Sequence, residues 1–216
     1  MAPPDAPRIY VLAGVNGAGK SSIGGAAFRA SGADYYNPDE ATRDLMAANL
    51  GLSQTNANSA AWHQGKRLLE QAMARRLDFA FESTLGANTI PRLLAEAASQ
   101  GIEVRVWYAG LSTPELHMKR VRARVRKGGH DIPDVDIRRR FEHSRLNLIH
   151  LLPALTALRV YDNSAEADPA TGRAPAPRLG LVLHLDHGKI VGPADLSKTP
   201  DWVKPIVAAA LKLHLD

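Results

Sequence analysis

The chain has 216 residues, 45% hydrophobic and 23% charged, a composition typical of a folded globular protein and unlike that of a disordered one. No shift in composition marks a boundary, so we expect one domain over residues 1–216. No apolar run approaches the roughly 20 residues that a membrane-spanning helix needs, and no basic and then apolar leader opens the chain, so we expect a cytoplasmic protein without a membrane partner. Cysteine is absent, which excludes disulfides and thiolate metal sites.

Strands and helices alternate from residue 8 to residue 162, which is typical of a parallel sheet with crossover helices. The predicted strands lie at 8–13, 78–82, 103–110 and 158–162, and a further short strand ends at Asn37. Three predicted helices lie at 20–32, 60–76 and 89–99. Three others begin at Asp39, at Ser112 and at about Asp134. Residues 178–216 then indicate a hairpin and an amphipathic helix. The expected fold is a three-layer, kinase-like P-loop α/β fold around a mainly parallel sheet of five or more strands.

Residues 14–21 match the phosphate-binding pattern G-x-x-x-x-G-K-[ST] between a predicted strand and a predicted helix. Backbone N–H groups can wrap a β-phosphate there, Lys20 can reach the β- and γ-phosphates, and Ser21 can ligate Mg²⁺. The competing interpretation is a chance glycine-rich turn, which the match and its context disfavour. The predicted nucleotide contacts are Gly14, Asn16, Gly17, Ala18, Gly19, Lys20, Ser21, Ser22 and, from a later loop, Asn163.

Two carboxylates are candidates for the acceptor side of a phosphoryl transfer, because each follows a predicted strand at the carboxyl edge of the sheet. Asp39 could take the proton of an acceptor hydroxyl, or it could simply cap its helix. Glu82 could hold a Mg²⁺-bound water or a substrate hydroxyl, or it could be an exposed residue at a strand end. Ser83 and Thr84 complete the predicted substrate contacts.

The net charge of +5 is concentrated in one segment. Between residues 119 and 145, ten Lys or Arg stand against four acids, giving +6 and leaving −1 for the rest of the chain. Such a cluster indicates a particular anion. The segment lacks interleaved stacking aromatics apart from Phe141, so we expect no nucleic-acid partner. A nucleotide-dependent nucleic-acid-binding switch stays open as an alternative.

The same segment predicts a lid over about 113–145. Helical spacing puts Met118, Val121 and Val125 on one face and Arg120, Arg124 and Lys127 on another. Glycines at 128 and 129 would let the next helix fold over the phosphates, where arginines stabilise the transferred charge. The alternative is a solvated basic face. The predicted lid residues are Arg120, Arg124, Lys127, His130 and Arg139, with Arg138 and Arg140 on the same helix.

Two further features allow more than one interpretation. Asn163 follows the fifth predicted strand, where P-loop kinases commonly hold the nucleotide base, but an Asx-type turn explains the same residues. The remaining histidines show no metal-ligand spacing and are expected at the surface or half-buried. They include His63, His117, His143 and His150.

Four motifs occur in an order that resembles the zeta-toxin family of bacterial P-loop kinases, in particular its compact Gram-negative-type members. They are the P-loop, NPDE at 37–40, FEST at 81–84 and RVRARVRKGGHDIP followed by IRRRF. The resemblance spans residues 8 to about 164. It implies a kinase that uses ATP or GTP with Mg²⁺ to phosphorylate a hydroxyl of a UDP-activated amino sugar, typically UDP-N-acetylglucosamine. It also implies a toxin that has a protein antitoxin as its partner.

The resemblance also implies roles for single residues. Asp39 corresponds to the family's general base, Lys20 and Ser21 to its phosphate and Mg²⁺ contacts, and Arg124 to one lid arginine. Glu82 with Thr84 corresponds to the substrate-side strand end. The family's second lid arginine falls near His130 in this sequence, so Arg126 or an arginine of 138–140 replaces it, or the γ-phosphate is held differently. A kinase for another small hydroxyl metabolite is the alternative within enzymes.

Overall fold

The structure is a computed structural model that describes residues 6–20, 35–166 and 180–215, and the statements below refer to these residues. Ser21, Ser22 and the rest of the helix predicted at 20–32 lie outside them, apart from Lys20. So does most of the loop between the fifth strand and the C-terminal hairpin.

The described residues form one seven-stranded sheet, in the order β2-β3-β1-β4-β5-β6-β7. The first five strands along the chain pair in parallel, and the two pairings that follow, β5 with β6 and β6 with β7, are antiparallel, which confirms the predicted, mainly parallel sheet. The strands are β1 (Arg8–Ala13), β2 (Tyr35–Tyr36), β3 (Phe79–Ser83), β4 (Glu103–Gly110), β5 (Ala157–Asp162), β6 (Gly180–Asp186) and β7 (Lys189–Gly192).

The described α-helices are α1 (Pro38–Ala48), α2 (Gln54–Arg75), α3 (Thr89–Ser99), α4 (Pro114–Val125), α5 (Asp134–Leu151) and α6 (Lys204–Leu215). Helix α2 begins before the predicted residue 60 because Ser53 caps it, its hydroxyl accepting from the Asn56 N–H at 3.3 Å. Helix α4 is capped by Thr113, whose Oγ1 accepts from the Leu116 N–H at 3.2 Å.

The main core lies between one face of the sheet and four helices, α2, α3, α5 and α6. A smaller cluster joins Val15 of the P-loop to Met118 and Val121 of α4 and to Ile132 and Ile137. The predicted apolar face of α4 is therefore confirmed. The opposite face of the sheet buries Leu12 and Ala80.

The predicted hairpin forms β6 and β7, which extend the sheet beside β5. Its two-residue loop places His187 and Gly188 at φ +48° and +74°, as the tightest hairpin turns require. Across the described residues, no helix combines the length and the apolar character needed to cross a bilayer.

Candidate active site

The P-loop runs from the end of β1 to Lys20 in a conformation that glycine makes possible. Gly17 has φ +84°, and a Cβ there would lie 2.8 Å from the His117 carbonyl oxygen, so a larger residue would strain the loop. The Lys20 ammonium donates to the Gly14 carbonyl at 2.9 Å, which holds the lysine against its own loop. The loop therefore has the form expected of a phosphate cradle.

Three side chains hold the P-loop from outside. The Arg140 guanidinium donates to Asn16 Oδ1 at 2.7 Å, and Asn163 Nδ2 donates to the Ala18 carbonyl at 2.9 Å. His117 Nδ1 lies 2.8 Å from the Asn16 carbonyl oxygen. Because a carbonyl oxygen only accepts, His117 carries a proton on Nδ1. Helix α4, helix α5 and the loop after β5 thus each make a hydrogen bond to the loop.

His117 is 1% exposed, so the expected surface or half-buried position is wrong for this histidine. Burial lowers its pKa to about 4, the hydrogen bond to Asn16 opposes the shift, and Lys20 and Arg120 reinforce it. His117 is therefore neutral at pH 7. Its place four residues before Val121, on the apolar face of α4, is the sequence signal that could have revealed its burial. His63, His143 and His150, for which the same position was expected, are exposed.

The loop after β5 forms the Asx-type turn that the sequence allows, and it also contacts the P-loop. An Asx-type turn forms, since Asp162 Oδ1 accepts from the Ser164 N–H at 3.3 Å and from the Ser164 hydroxyl. Asn163 in turn contacts the P-loop at Ala18. The loop thus stands beside the phosphate cradle, where we propose that Asn163 contacts the nucleotide.

Asp39 lies in the first turn of α1 but does not cap the helix. The N-cap is Asn37, whose Oδ1 accepts from the N–H groups of Asp39 at 2.9 Å and Glu40 at 3.4 Å. The interpretation of Asp39 as a cap is therefore wrong. Its carboxylate instead lines a cavity and accepts from Arg124 Nη1 at 3.2 Å.

His130 Nε2 lies 3.7 Å from Asp39 Oδ1, and its side chain is 13% exposed. Burial lowers the pKa of His130, Asp39 opposes this shift, and the arginines 124, 140 and 43 reinforce it. The imidazole is therefore neutral at pH 7, and the charged partner of Asp39 is Arg124.

Glu82 is 8% exposed, so the interpretation as an exposed residue at a strand end is wrong. Its Oε1 accepts from the Tyr35 hydroxyl and from Asn37 Nδ2, the latter at 3.2 Å. Sequence reasoning named neither Tyr35 nor Asn37 as a site residue. Ser83 and Thr84 line the same cavity, and their hydroxyls accept from the N–H groups of Leu85 and Gly86, which shapes the turn after β3.

One cavity of about 390 Å³ brings these groups together. Lys20 and Asn16 line its P-loop end, the two carboxylates line its wall, and Tyr36, Trp62 and Lys66 line the region supplied by β2 and α2. Tyr36 packs across α2, donating to the Ala61 carbonyl, and Gly65 leaves room for its ring. The cavity thus has a phosphate-binding end and a region lined by aromatic residues.

The predicted lid residues divide into three groups, of which Arg124, paired with Asp39, forms one by itself. Arg139, Arg140 and His130 line the cavity. Arg120 instead donates to the carbonyls of Asn163 and Ala165, at 2.7 and 3.1 Å, and Lys127 is exposed. The common helix face predicted for Arg120, Arg124 and Lys127 therefore does not converge on one anion site.

No cluster of three or more metal-ligating side chains exists within the described ranges. Mg²⁺ in kinases, however, is usually held by one or two protein oxygens together with water and substrate phosphates. Glu82 beside the P-loop cavity supplies such a carboxylate, and the motif's Ser21 lies outside the described residues. The donors that are present fit a metal that arrives with its nucleotide.

Comparison with known proteins agrees with this geometry. The family model described as Zeta toxin matches residues 1–168. The chain belongs to the zeta toxin family. An uncharacterized protein of Haemophilus influenzae is 28% identical over 129 residues, which cover 59% of this chain and 88% of the relative.

Solved structures share the kinase-like P-loop fold of this zeta toxin family member. A crystal structure of AvrRxo1-ORF1:-ORF2 with ATP has a TM-score of 0.67 at 14% identity, covering 94% of this chain and 63% of that one. The chain thus spans less than two thirds of that protein. The PezAT chromosomal toxin-antitoxin system of Streptococcus pneumoniae has a TM-score of 0.55 at 15% identity, covering 75% of this chain and 69% of that one.

Proposed function

We propose that this zeta toxin family member is a cytoplasmic kinase that transfers the γ-phosphate of ATP, or of GTP, to a hydroxyl of a UDP-activated amino sugar such as UDP-N-acetylglucosamine. The observation that carries the proposal is the shared cavity, which is lined by Lys20 of the P-loop and by the carboxylates of Asp39 and Glu82. Phosphoryl transfer to an alcohol needs a phosphate cradle and, in the same cavity, a carboxylate that can accept the proton of the alcohol.

In the proposed reaction, Asp39 accepts the proton of the acceptor hydroxyl while the oxygen of that hydroxyl bonds to the γ-phosphorus. The bond from that phosphorus to the β,γ-bridging oxygen breaks, and the nucleoside diphosphate leaves. Lys20 and Arg140 stabilise the negative charge on the transferred group. Arg124, at 3.2 Å, orients the Asp39 carboxylate. Glu82 would bind the acceptor hydroxyl or a Mg²⁺-bound water, and Mg²⁺ with Ser21 as a ligand would add charge neutralisation on the β- and γ-phosphates.

Arg140 is our candidate for the second lid arginine. It lines the cavity and contacts Asn16 of the P-loop at 2.7 Å, whereas Arg126 is exposed. Arg139 lines the same cavity but forms a salt bridge with Asp136 at 2.8 Å. We therefore assign the main lid role to Arg140 and a supporting one to Arg139.

Two features support a nucleotide sugar as the acceptor. The cavity volume of about 390 Å³ lies in the range of sites that enclose whole small ligands. Tyr36 and Trp62 offer aromatic surface beside Lys66, a combination that suits a planar ring attached to phosphates. A kinase whose acceptor carries neither a base nor phosphates would not need this aromatic and basic surface.

The alternative of a nucleic-acid-binding switch is disfavoured by the internal pairing of the basic segment. Many of its arginines form salt bridges within the chain and so are already engaged by protein carboxylates. These pairs are Arg122–Asp134, Arg138–Glu115, Arg139–Asp136 and Arg145–Glu142.

We further propose a protein antitoxin that covers the nucleotide site. The support is analogy, because PezAT is described as a toxin-antitoxin system and AvrRxo1-ORF1 crystallised with AvrRxo1-ORF2. Co-purification of this chain with the product of an adjacent gene, and inhibition of its kinase activity by that product, would test the idea.

The proposed activity is tested by incubating the protein with Mg·ATP and a panel of nucleotide sugars, free sugars and nucleosides, followed by mass spectrometry. We expect a phosphorylated UDP-amino sugar, and no product with the Lys20→Ala variant. Phosphorylation of a free sugar or nucleoside instead would move the assignment to another metabolite kinase. A wholly negative panel would overturn the kinase proposal.

A further inference from the structure

The side chain of Asn37 hydrogen-bonds through both of its polar atoms. Its Oδ1 accepts from the backbone N–H groups of Asp39 at 2.9 Å and Glu40 at 3.4 Å. Its Nδ2 donates to Glu82 Oε1 at 3.2 Å. One amide thus joins the start of helix α1 to the end of strand β3, 45 residues further along the chain.

The partners of Asn37 fix which way its amide points. Backbone N–H groups need an acceptor and the Glu82 carboxylate needs a donor, so a flipped amide would lose both sets of hydrogen bonds. A buried carboxylate is also costly unless donors surround it. The Tyr35 hydroxyl supplies a second donor to the same oxygen. The orientation of Glu82 therefore depends on Tyr35 of β2 and on Asn37, the N-cap of α1.

The chain leaves little freedom between Asn37 and Asp39. Pro38 stands at the first helical position with its φ fixed by its ring, and Asp39 follows directly in the same turn. Any displacement of the Asn37 side chain is thus passed on both to the Asp39 backbone and to the Glu82 carboxylate.

We propose that Asn37 is a positioning residue that sets the distance between the Asp39 and Glu82 carboxylates, so that an acceptor hydroxyl can contact both at the same time. This inference rests on the proposed kinase function, in which Asp39 takes the proton and Glu82 serves the acceptor side. It extends that function to a residue whose sequence signature is only that of a helix cap.

The test separates capping from positioning with three variants. Asn37→Ser keeps a good N-cap oxygen but loses the amide N–H₂ that donates to Glu82, and its one hydroxyl lies a bond closer to the backbone, further from that carboxylate. Asn37→Ala loses both functions, and Asn49→Ser changes the exposed asparagine at the other end of the same helix. We measure the melting temperature, the ATP affinity by calorimetry, and kcat and KM for the acceptor identified with the wild-type protein.

For Asn37→Ser we expect a near-wild-type melting temperature and ATP affinity, with acceptor kcat/KM reduced roughly tenfold or more, the scale of one hydrogen bond to a charged group. Asn37→Ala should lose stability as well. Asn49→Ser should keep wild-type kinetics. An Asn37→Ser enzyme with wild-type acceptor kinetics would overturn the inference.

A double-mutant cycle identifies the route of the effect. In a Glu82→Ala background, Asn37→Ser should cost much less than it does in the wild-type protein, because the oxygen that accepts from Asn37 is already gone. An equal cost in both backgrounds would contradict the positioning role. If the wild-type protein phosphorylates nothing, the proposed function itself fails, and this outcome differs from an active enzyme that is indifferent to Asn37.

Discussion

Asp39 and Glu82 lie on the wall of one cavity, yet different groups hold them. The Asp39 carboxylate pairs with Arg124, whereas Glu82 is buried and accepts from Tyr35 and Asn37. Two carboxylates with such different surroundings suit different tasks, one accepting a proton and the other binding acceptor or metal-bound water.

We expect Asp39→Asn to lower kcat about 10²- to 10⁴-fold, the usual range for loss of a general base, because the amide still accepts from Arg124 but cannot take a proton. ATP affinity, measured by calorimetry, should stay within about twofold of wild type. Asp44→Asn, an exposed change on the same helix, is the control. Full activity of Asp39→Asn would remove Asp39 from the reaction.

His117 should make stability dependent on pH. Its pKa is about 4 in the folded protein against an ordinary 6.5, so the unfolded chain binds more protons between these values. Above pH 6.5 the neutral His117 does not lower the free energy of unfolding. As the pH falls towards 4, the free energy of unfolding drops by roughly 3 kcal/mol on account of this residue.

Urea unfolding at several pH values between 7.5 and 4 measures this effect. His117→Gln, which can keep a donor near Asn16 but does not titrate, should flatten the loss of stability on acidification relative to wild type. If the wild-type and variant free energies of unfolding fall in parallel, another group is responsible.

At the scale of elements, the basic segment is two helices with different tasks. The apolar face of α4 packs on Val15 of the P-loop, as its periodicity predicts. Its arginines diverge, however, with Arg120 directed to the loop after β5 and Arg124 to Asp39. The cavity-facing arginines, Arg139 and Arg140, come from α5.

Arg140→Lys tests the contribution of α5. Lysine keeps the charge but loses the planar fork, so we expect kcat to fall about 10²-fold or more with a modest change in ATP affinity. Arg138→Lys is the matched control two residues earlier, because Arg138 pairs with Glu115 at the surface. Equal kinetics for the two variants would exclude Arg140 from the lid role.

At the scale of the whole molecule, the segment beyond the family match at 1–168 is joined to the nucleotide side of the site. Trp202 is 5% exposed and donates from Nε1 to Asp162 Oδ1 at 3.0 Å. Asp162 shapes the turn that presents Asn163 to the P-loop. The segment that follows the hairpin therefore contacts the turn that carries Asn163.

Trp202→Phe removes this donor while keeping an aromatic ring. We expect a loss of about 1–2 kcal/mol in the free energy of unfolding and weaker ATP binding, measured by thermal melting and calorimetry. Trp107→Phe, in the sheet strand β4, is the control for the loss of an indole. Unchanged ATP affinity in Trp202→Phe would show that the C-terminal segment supports only stability.

The features that could be predicted from the sequence are local ones. The P-loop, the parallel strands and the hairpin each depend on a few adjacent residues whose backbone preferences and apolar spacing are visible in one stretch of chain. The position of Asp39 at the carboxyl edge of the sheet follows from the order of strands and helices in the same way.

Other features depend on residues far apart in the sequence, and only the tertiary structure decided them. Asn37 meets Glu82 across 45 residues, His117 meets Asn16 across 101, and Arg140 meets Asn16 across 124. No local periodicity specifies such pairs, because they arise when packed elements bring a donor and an acceptor together away from water. The sequence alone thus determined a phosphate-binding α/β protein, and tertiary packing decided which side chains surround the acceptor.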